Sequence, residues 1–297
     1  LSTSLLIDTD VALGLQHEGR PRDIDDGFAI VEAINVDDLD LCGVTTVFGN
    51  APHAAVHRVA GEIIELKNVD VPVVAGAAQP LPEEGDLPAS NPAVDFMATQ
   101  LAHTPMAVAA IGPLTNIGLL VHHHPEVLAN ITALIIVAGR SLGALFYIGD
   151  VGPVRDFNFE NDVRAAELVM ASGVPLVLAG FELTSQVTIT EADLAAIAER
   201  GGTTADYFHH NSLAWCHYWT QKFNEPGFHP WDSAAIAWLR HPEYFRCEAR
   251  GWRIDRSGET PLLECDRDLP GTTVTYCTGF APGGSVSFVR DVVNTVY

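Results

Sequence analysis

The stretch LLIDTDVALGLQHEGRPRDIDDGFAI, residues 5–30, decides how the rest of the chain reads. An apolar run ends in the pair Asp8 and Asp10. A second pair, Asp25 and Asp26, opens an apolar-periodic segment, and a loop of mixed charge lies between them. Strand, loop and helix in that order is half of a βαβ unit. The pattern recurs along the N-terminal half. Strand-like runs fall at residues 4–7, 39–47, 71–75, 107–111, 133–137 and 175–179, with helical spacing between most of them, as at 28–34 and 56–66. The alternation predicts an α/β fold, a mostly parallel central sheet with helices on both faces. Helices are expected at 191–200, 203–223, 230–239 and 284–296, and a small antiparallel region at 244–280 around DRSGET. No repeat or composition break divides residues 1–297, so a single domain is expected.

Composition narrows the partners. The chain carries 38 acids against 16 bases, a net charge of −22, which argues against nucleic acid and anionic membranes. No apolar run reaches the roughly 18 residues of a membrane span. No basic, then apolar, leader is visible, and a cytoplasmic location is expected. The five cysteines are widely spaced without a C-x-x-C, so they read as scattered reduced thiols rather than a zinc site.

Ligands of such sheets bind beyond the carboxyl ends of the strands. Asp8, Asp10, Asn50, Thr115, Asn116, Asp150, Asp156, Asn158 and Glu182 all fall at that edge. Two carboxylates about 4 Å apart repel by about 4 kcal/mol at an effective dielectric of 20. Clustered carboxylates therefore carry protons or surround a cation, and an all-oxygen group suits Ca²⁺ or Mg²⁺. The bland alternative makes Asp8 a turn residue and Asp25 a helix cap. An apolar strand ending in D-x-D also resembles the haloacid dehalogenase-like phosphatases, but Lys67 and Lys222 are poorly placed to hold phosphate.

Five segments in order carry a more specific resemblance: IDTD with DIDDGFAI, TTVFGN, IGPLTNIGLL, GDVGPVRDFNFENDVRAAE and PWDSAAIAW, spanning residues 5–240. Together they resemble the calcium-dependent nucleoside hydrolases, whose fold is Rossmann-like. The resemblance implies hydrolysis of the N-glycosidic bond of ribonucleosides, with a small-molecule nucleoside as the partner and a homodimer or homotetramer as the assembly. It implies Ca²⁺ held by Asp10, Asp26, Asp232 and the Thr115 carbonyl, with Asp10 as general base. Asp25 would bond the ribose 2′-hydroxyl or a water, and Asn50, Asp150, Asp156 and Asn158 would hold the sugar. Asp8 would stand behind the ligands.

Three departures stand out. Residues 11–24 are an insertion, expected to form a lid over the leaving base, with His17, Arg20 and Arg22 as its contacts. Asp150 and Asp156 replace an Asn and a Glu, which leaves open a nucleoside- or sugar-binding calcium protein without turnover. Trp231 stands where many members have a proton-donating His. The purine-preferring branch has Trp there, so stacking on a purine base is expected. Consecutive His122–His124 read as solvated. His210, Trp215, Tyr218 and Trp219 share a helix near the base pocket of relatives.

Overall fold

The computed structural model describes residues 2–297. The first strand, β1 (Thr3–Thr9), shows why the fold forms: from Leu5 to Thr9 every residue is buried. Leu5 and Ile7 face one apolar core, and Leu6 faces another. A strand apolar on both faces can be covered only from both sides. Helices α1 (Asp25–Asn35), α2 (His53–Lys67), α9 (Thr203–Phe223), α10 (Ser233–Arg240) and α11 (Gly284–Asn294) pack on the Leu5 face. Helices α3 (Pro92–His103), α4 (Thr115–His123) and α6 (Val163–Met170) pack on the Leu6 face.

β1 is joined by β2 (Leu39–Thr46), β3 (Val73–Ala75), β4 (Met106–Ala110), β5 (Ile131–Ile136), β6 (Arg140–Ser141) and β7 (Leu176–Leu178). The C-terminal strands are β8 (Phe245–Asp255), β9 (Leu262–Asp266) and β10 (Thr273–Phe280). Together they form one ten-stranded sheet in the order β3-β2-β1-β4-β5-β7-β10-β8-β9-β6. From β3 to β10 all neighbours are parallel, and β8 is antiparallel to both β10 and β9. The expected antiparallel region is thus present, but β10 also returns to the parallel sheet beside β7.

The chain runs from β1 outward to β2 and β3, then crosses back to place β4 on the other side of β1. That reversal opens a crevice between the carboxyl ends of β1 and β4. The amide N–H of Ile111, just past β4, donates to the Asp8 carbonyl at 2.9 Å, which fastens the two strand ends together.

Two sequence expectations need correction. The insertion is not a free lid: Val11, Ala12, Leu13 and Ile24 are buried in the core. Only its middle forms a short ribbon, Gln16–His17 against Arg20–Pro21. The cysteines are not all scattered either. Cys247 and Cys277 face each other across β8 and β10 with their sulfurs 2.9 Å apart. Among the described residues no helix is long and apolar enough to cross a membrane.

Candidate active site

The crevice holds a cleft of about 430 Å³ with two unlike walls. Carboxylates form one. Asp8, the eighth residue of the chain, is fully buried, and its Oδ1 accepts from Thr45 Oγ1 at 2.6 Å and Asn116 Nδ2 at 2.9 Å. It therefore wires β1 to β2 and α4 behind the cleft, and burial pushes its carboxyl up to about 7. Asp10 faces the cleft. Its Oδ2 accepts from the Asn50 amide N–H at 2.7 Å, while Oδ1 is buried with no partner among the described residues. A Cβ at Gly49 would lie 1.9 Å from that Oδ2, so only glycine lets the β2 loop close onto Asp10.

Asp25 and Asp26 are the first two residues of α1, whose N-cap is Ile24. Asp25 is thus not the cap. Its Oδ2 accepts from the Asp232 amide N–H at 2.9 Å, where α10 begins. Asp26 accepts from the Thr9 hydroxyl through Oδ1, and its Oδ2 is buried and unpartnered. Two helix N-termini therefore converge, each favouring negative charge through its dipole. One oxygen each of Asp25, Asp26 and Asp232 lies within 4.8 Å of the others. Burial outweighs the dipoles. It raises Asp25, raises Asp26 to about 7, and lifts Asp10, Asp23 and Asp232 well above the carboxylate range, with mutual repulsion adding to the shift for all but Asp25. Asp23, which lines the cleft, is a further carboxylate that sequence reading missed, although it belongs to the same DIDD run.

The sugar-side candidates divide. Asn50, Asp156 and Asn158 line the cleft. Asp156 Oδ2 accepts from the Gly139 amide N–H at 2.8 Å, and burial pushes its carboxyl up to about 6. Asn158 Nδ2 donates to the Ile111 carbonyl at 2.9 Å. Asp150 does not reach the cleft. It is exposed at the turn between the short strands Phe146–Ile148 and Val151–Val154. Thr115 does not line it either: it opens α4, and its hydroxyl donates to Asp162 Oδ2 at 2.6 Å. Ile111 lines the cleft in its place, a residue that bears no side-chain donor and so gave no signal in the sequence. Glu182 accepts from the Ser141 amide N–H and the Tyr276 hydroxyl, a structural link.

The opposite wall is aromatic. Phe146, Phe181, Trp215, Tyr218, Trp219, Phe223 and Trp231 line it. Phe181 stacks between Phe146 and Trp231, with ring centroids 4.3 and 5.8 Å away. On α9 the buried positions Phe208, Ser212, Trp215, Cys216 and Trp219 follow the helical repeat. That single stripe serves both core and cleft. The indole N–H groups of Trp215, Trp219 and Trp231 are buried without partners among the described residues. Arg20 and Arg22 of the insertion line the cleft, and His17 does not. Among the described residues no histidine or lysine lines it.

The family model of the inosine-uridine preferring nucleoside hydrolases matches residues 5–281. The pyrimidine-specific ribonucleoside hydrolase RihA of Salmonella agona (strain SL483) is 30% identical, covering 79% of this chain and 82% of the relative. RihA of Salmonella typhi is 29% identical with the same coverage. Two solved structures superpose with a TM-score of 0.82 at 20% identity over 99% of both chains: a plant nucleoside hydrolase and a purine-preferring ribonucleoside hydrolase from Gardnerella vaginalis. At that identity the likeness speaks for the fold.

Proposed function

This chain belongs to the inosine-uridine preferring nucleoside hydrolase family and is an N-ribosyl hydrolase; within that class we propose that it prefers purine ribonucleosides, holds calcium among its carboxylates and uses Asp10 as the general base. The observation that carries this is the convergence of Asp25, Asp26 and Asp232 beside Asp10, with Asp10 Oδ1 and Asp26 Oδ2 buried and unpartnered. Without a cation, burial and mutual repulsion push these carboxylates toward their protonated forms, and a protonated Asp10 could not act as a base. A hard dication fits an all-oxygen group with open valences.

Asp10, Asp26 and Asp232 would hold the ion, with Asp25 beside them. Ile111 lines the cleft and Thr115 does not, so on this reading the Ile111 carbonyl takes the place assigned to that of Thr115. When bound, calcium orients the ribose hydroxyls and eases deprotonation of water. Asp10 Oδ2 is pinned by the Asn50 N–H, which leaves Oδ1 to take the proton of the water attacking C1′. As the glycosidic bond breaks, positive charge spreads over the sugar ring. Asp156, fixed by the Gly139 N–H, and Asn158, fixed by the Ile111 carbonyl, lie along the cleft to hold the ring. Fixed carboxylates facing that charge stabilise the transition state more than the neutral substrate. The Phe181–Trp231 stack offers a flat apolar face matched to a two-ring base.

The test is release of reducing sugar from inosine, adenosine, guanosine, uridine and cytidine, each with and without a chelator. Calcium-dependent release, fastest with purines, is expected. Binding without sugar release refutes the catalytic reading, faster pyrimidine cleavage refutes the base preference, and chelator-insensitive turnover refutes the metal.

A further inference from the structure

The carboxylates account for the sugar and the water but not for the base. When the C1′–N bond breaks, its electron pair goes to the base nitrogen, and that charge must meet a proton or a cation. His17, expected from the insertion as a contact to the base, lies outside the cleft. His229 packs against the rings of Trp219 and Trp231 without lining the cleft, and its Nδ1 is bonded to the Val187 carbonyl at 2.6 Å.

Resting on the nucleoside hydrolase reading above, we propose that Arg22 is the residue that receives the departing base. Arg22 lines the cleft and is only 6% exposed. Its Nη2 is held by Glu18 at 2.6 Å and its backbone N–H by the Leu15 carbonyl at 3.0 Å, while its Nε is buried with no partner among the described residues. A buried guanidinium donor without an acceptor is costly, and a bound base with carbonyl oxygens or ring nitrogens would supply one. The other cleft arginines are less suited. Arg155 is half exposed and turned to Glu160 at 3.1 Å, and Arg20 is exposed on the ribbon.

Arg22 also lies on the correct side. The strand Arg20–Pro21 packs against α9, whose Trp215, Tyr218 and Trp219 form the base wall. Leu13 and Gly27 pack together, with Phe208 of α9 against Gly27. The insertion is therefore a fixed bracket that delivers a cation to the aromatic side of the cleft. The step balances without a proton from Arg22. The C1′–N pair moves to the base, whose anion accepts hydrogen bonds from the guanidinium. Water oxygen bonds to C1′, and its proton goes to Asp10. Solvent returns one proton to the released base as Asp10 gives one up.

The test compares two leaving groups. Inosine and uridine need stabilisation of the base, whereas 4-nitrophenyl β-D-ribofuranoside releases a phenolate that leaves unaided. In Arg22→Met, kcat/KM for both nucleosides should fall about 100-fold or more, the scale of losing one charge-stabilising donor. The nitrophenyl riboside should stay within about threefold, since its barrier does not include that charge. Arg22→Lys, which keeps the charge, should recover part of the nucleoside rate if Arg22→Met folds poorly. Equal losses on both substrates would make Arg22 a structural bracket only and overturn the proposal. So would unchanged nucleoside rates, or a nucleoside-selective loss seen in Tyr218→Phe and not in the Arg22 variants. A wild-type enzyme inactive on every nucleoside would instead overturn the parent reading.

Discussion

The two walls of the cleft are built in opposite ways. The carboxylate wall comes from the ends of β1, α1 and α10, rigid elements on which directed hydrogen bonds fix each side chain: the Asn50 amide N–H on Asp10, the Thr9 hydroxyl on Asp26, the Asp232 amide N–H on Asp25. The aromatic wall comes from α9, the Phe181 segment and the insertion, and it is held by ring packing and by Glu18 on Arg22. Directed hydrogen bonds leave little freedom, whereas ring stacks tolerate substitution at a modest cost. The contrast teaches that the chemistry should be intolerant of change on one wall and adjustable on the other.

The sharpest way to break that contrast is Asp10→Asn. It should cut kcat by about 10³-fold, within the range expected for losing a general base, and leave the protein folded, as a cooperative melting curve in chelator would show. A loss under about tenfold, in steady-state assays at saturating nucleoside, would remove Asp10 from the role. Calcium comes next. At a hundredfold excess over its dissociation constant it should add about 2.7 kcal/mol of stability. Asp26→Asn and Asp232→Asn should abolish the resulting rise in melting temperature, and Trp231→Ala should keep it. Calorimetry with and without chelator decides, and an undiminished rise in the aspartate variants would move the ion elsewhere.

On the adjustable wall, Trp231→Ala should lower kcat/KM for inosine about tenfold more than for uridine, the scale of one aromatic stack. Equal effects on the two nucleosides would show that Trp231 packs the wall without reading the base.

The smallest effect lies away from the cleft. Glu32, on α1, is buried, and burial pushes its carboxyl up to about 7 despite the 2.9 Å ion pair with Arg240. Desolvation wins over the guanidinium. Because the folded state binds this proton more tightly than the unfolded chain, its stabilisation is complete in acid and is lost as pH rises through 7. Glu32→Gln should flatten the fall in stability between pH 5 and pH 8 by on the order of 1–3 kcal/mol. Urea unfolding at both pH values measures it, and an unchanged slope would place the titration elsewhere.

The residues differ in how far sequence alone could read them. Asp8, Asp10, Asp25 and Asp26 were legible because they bracket a strand and a helix start, where backbone geometry is regular. Asn50, Asp156, Asn158 and Trp231 were legible only through the order of the five segments. Thr115 opens α4 and does not line the cleft, whereas Ile111, in the loop just past β4, does: the GPLTN run shows that a strand ends and a helix starts, but not which residue of that turn reaches the crevice. Asp150 was misplaced because a turn between two short strands carries it into solvent.

By itself the sequence determined the α/β architecture, the family and the presence of a carboxylate cluster at the strand ends. Those follow from periodicity and local spacing, which burial on both sheet faces enforces. Only the tertiary structure decided which oxygens converge, that Ile111 and not Thr115 lines the cleft, and that Arg22 lines it while His17 does not. Residues 11–24 are aimed by their anchors. Val11, Ala12, Leu13 and Ile24 are drawn into the core by their apolar surface, and the segment between them brings Arg20 and Arg22 to the cleft and leaves the histidine outside. That choice depends on contacts with α9, some 190 residues further along the chain, and no local pattern encodes it.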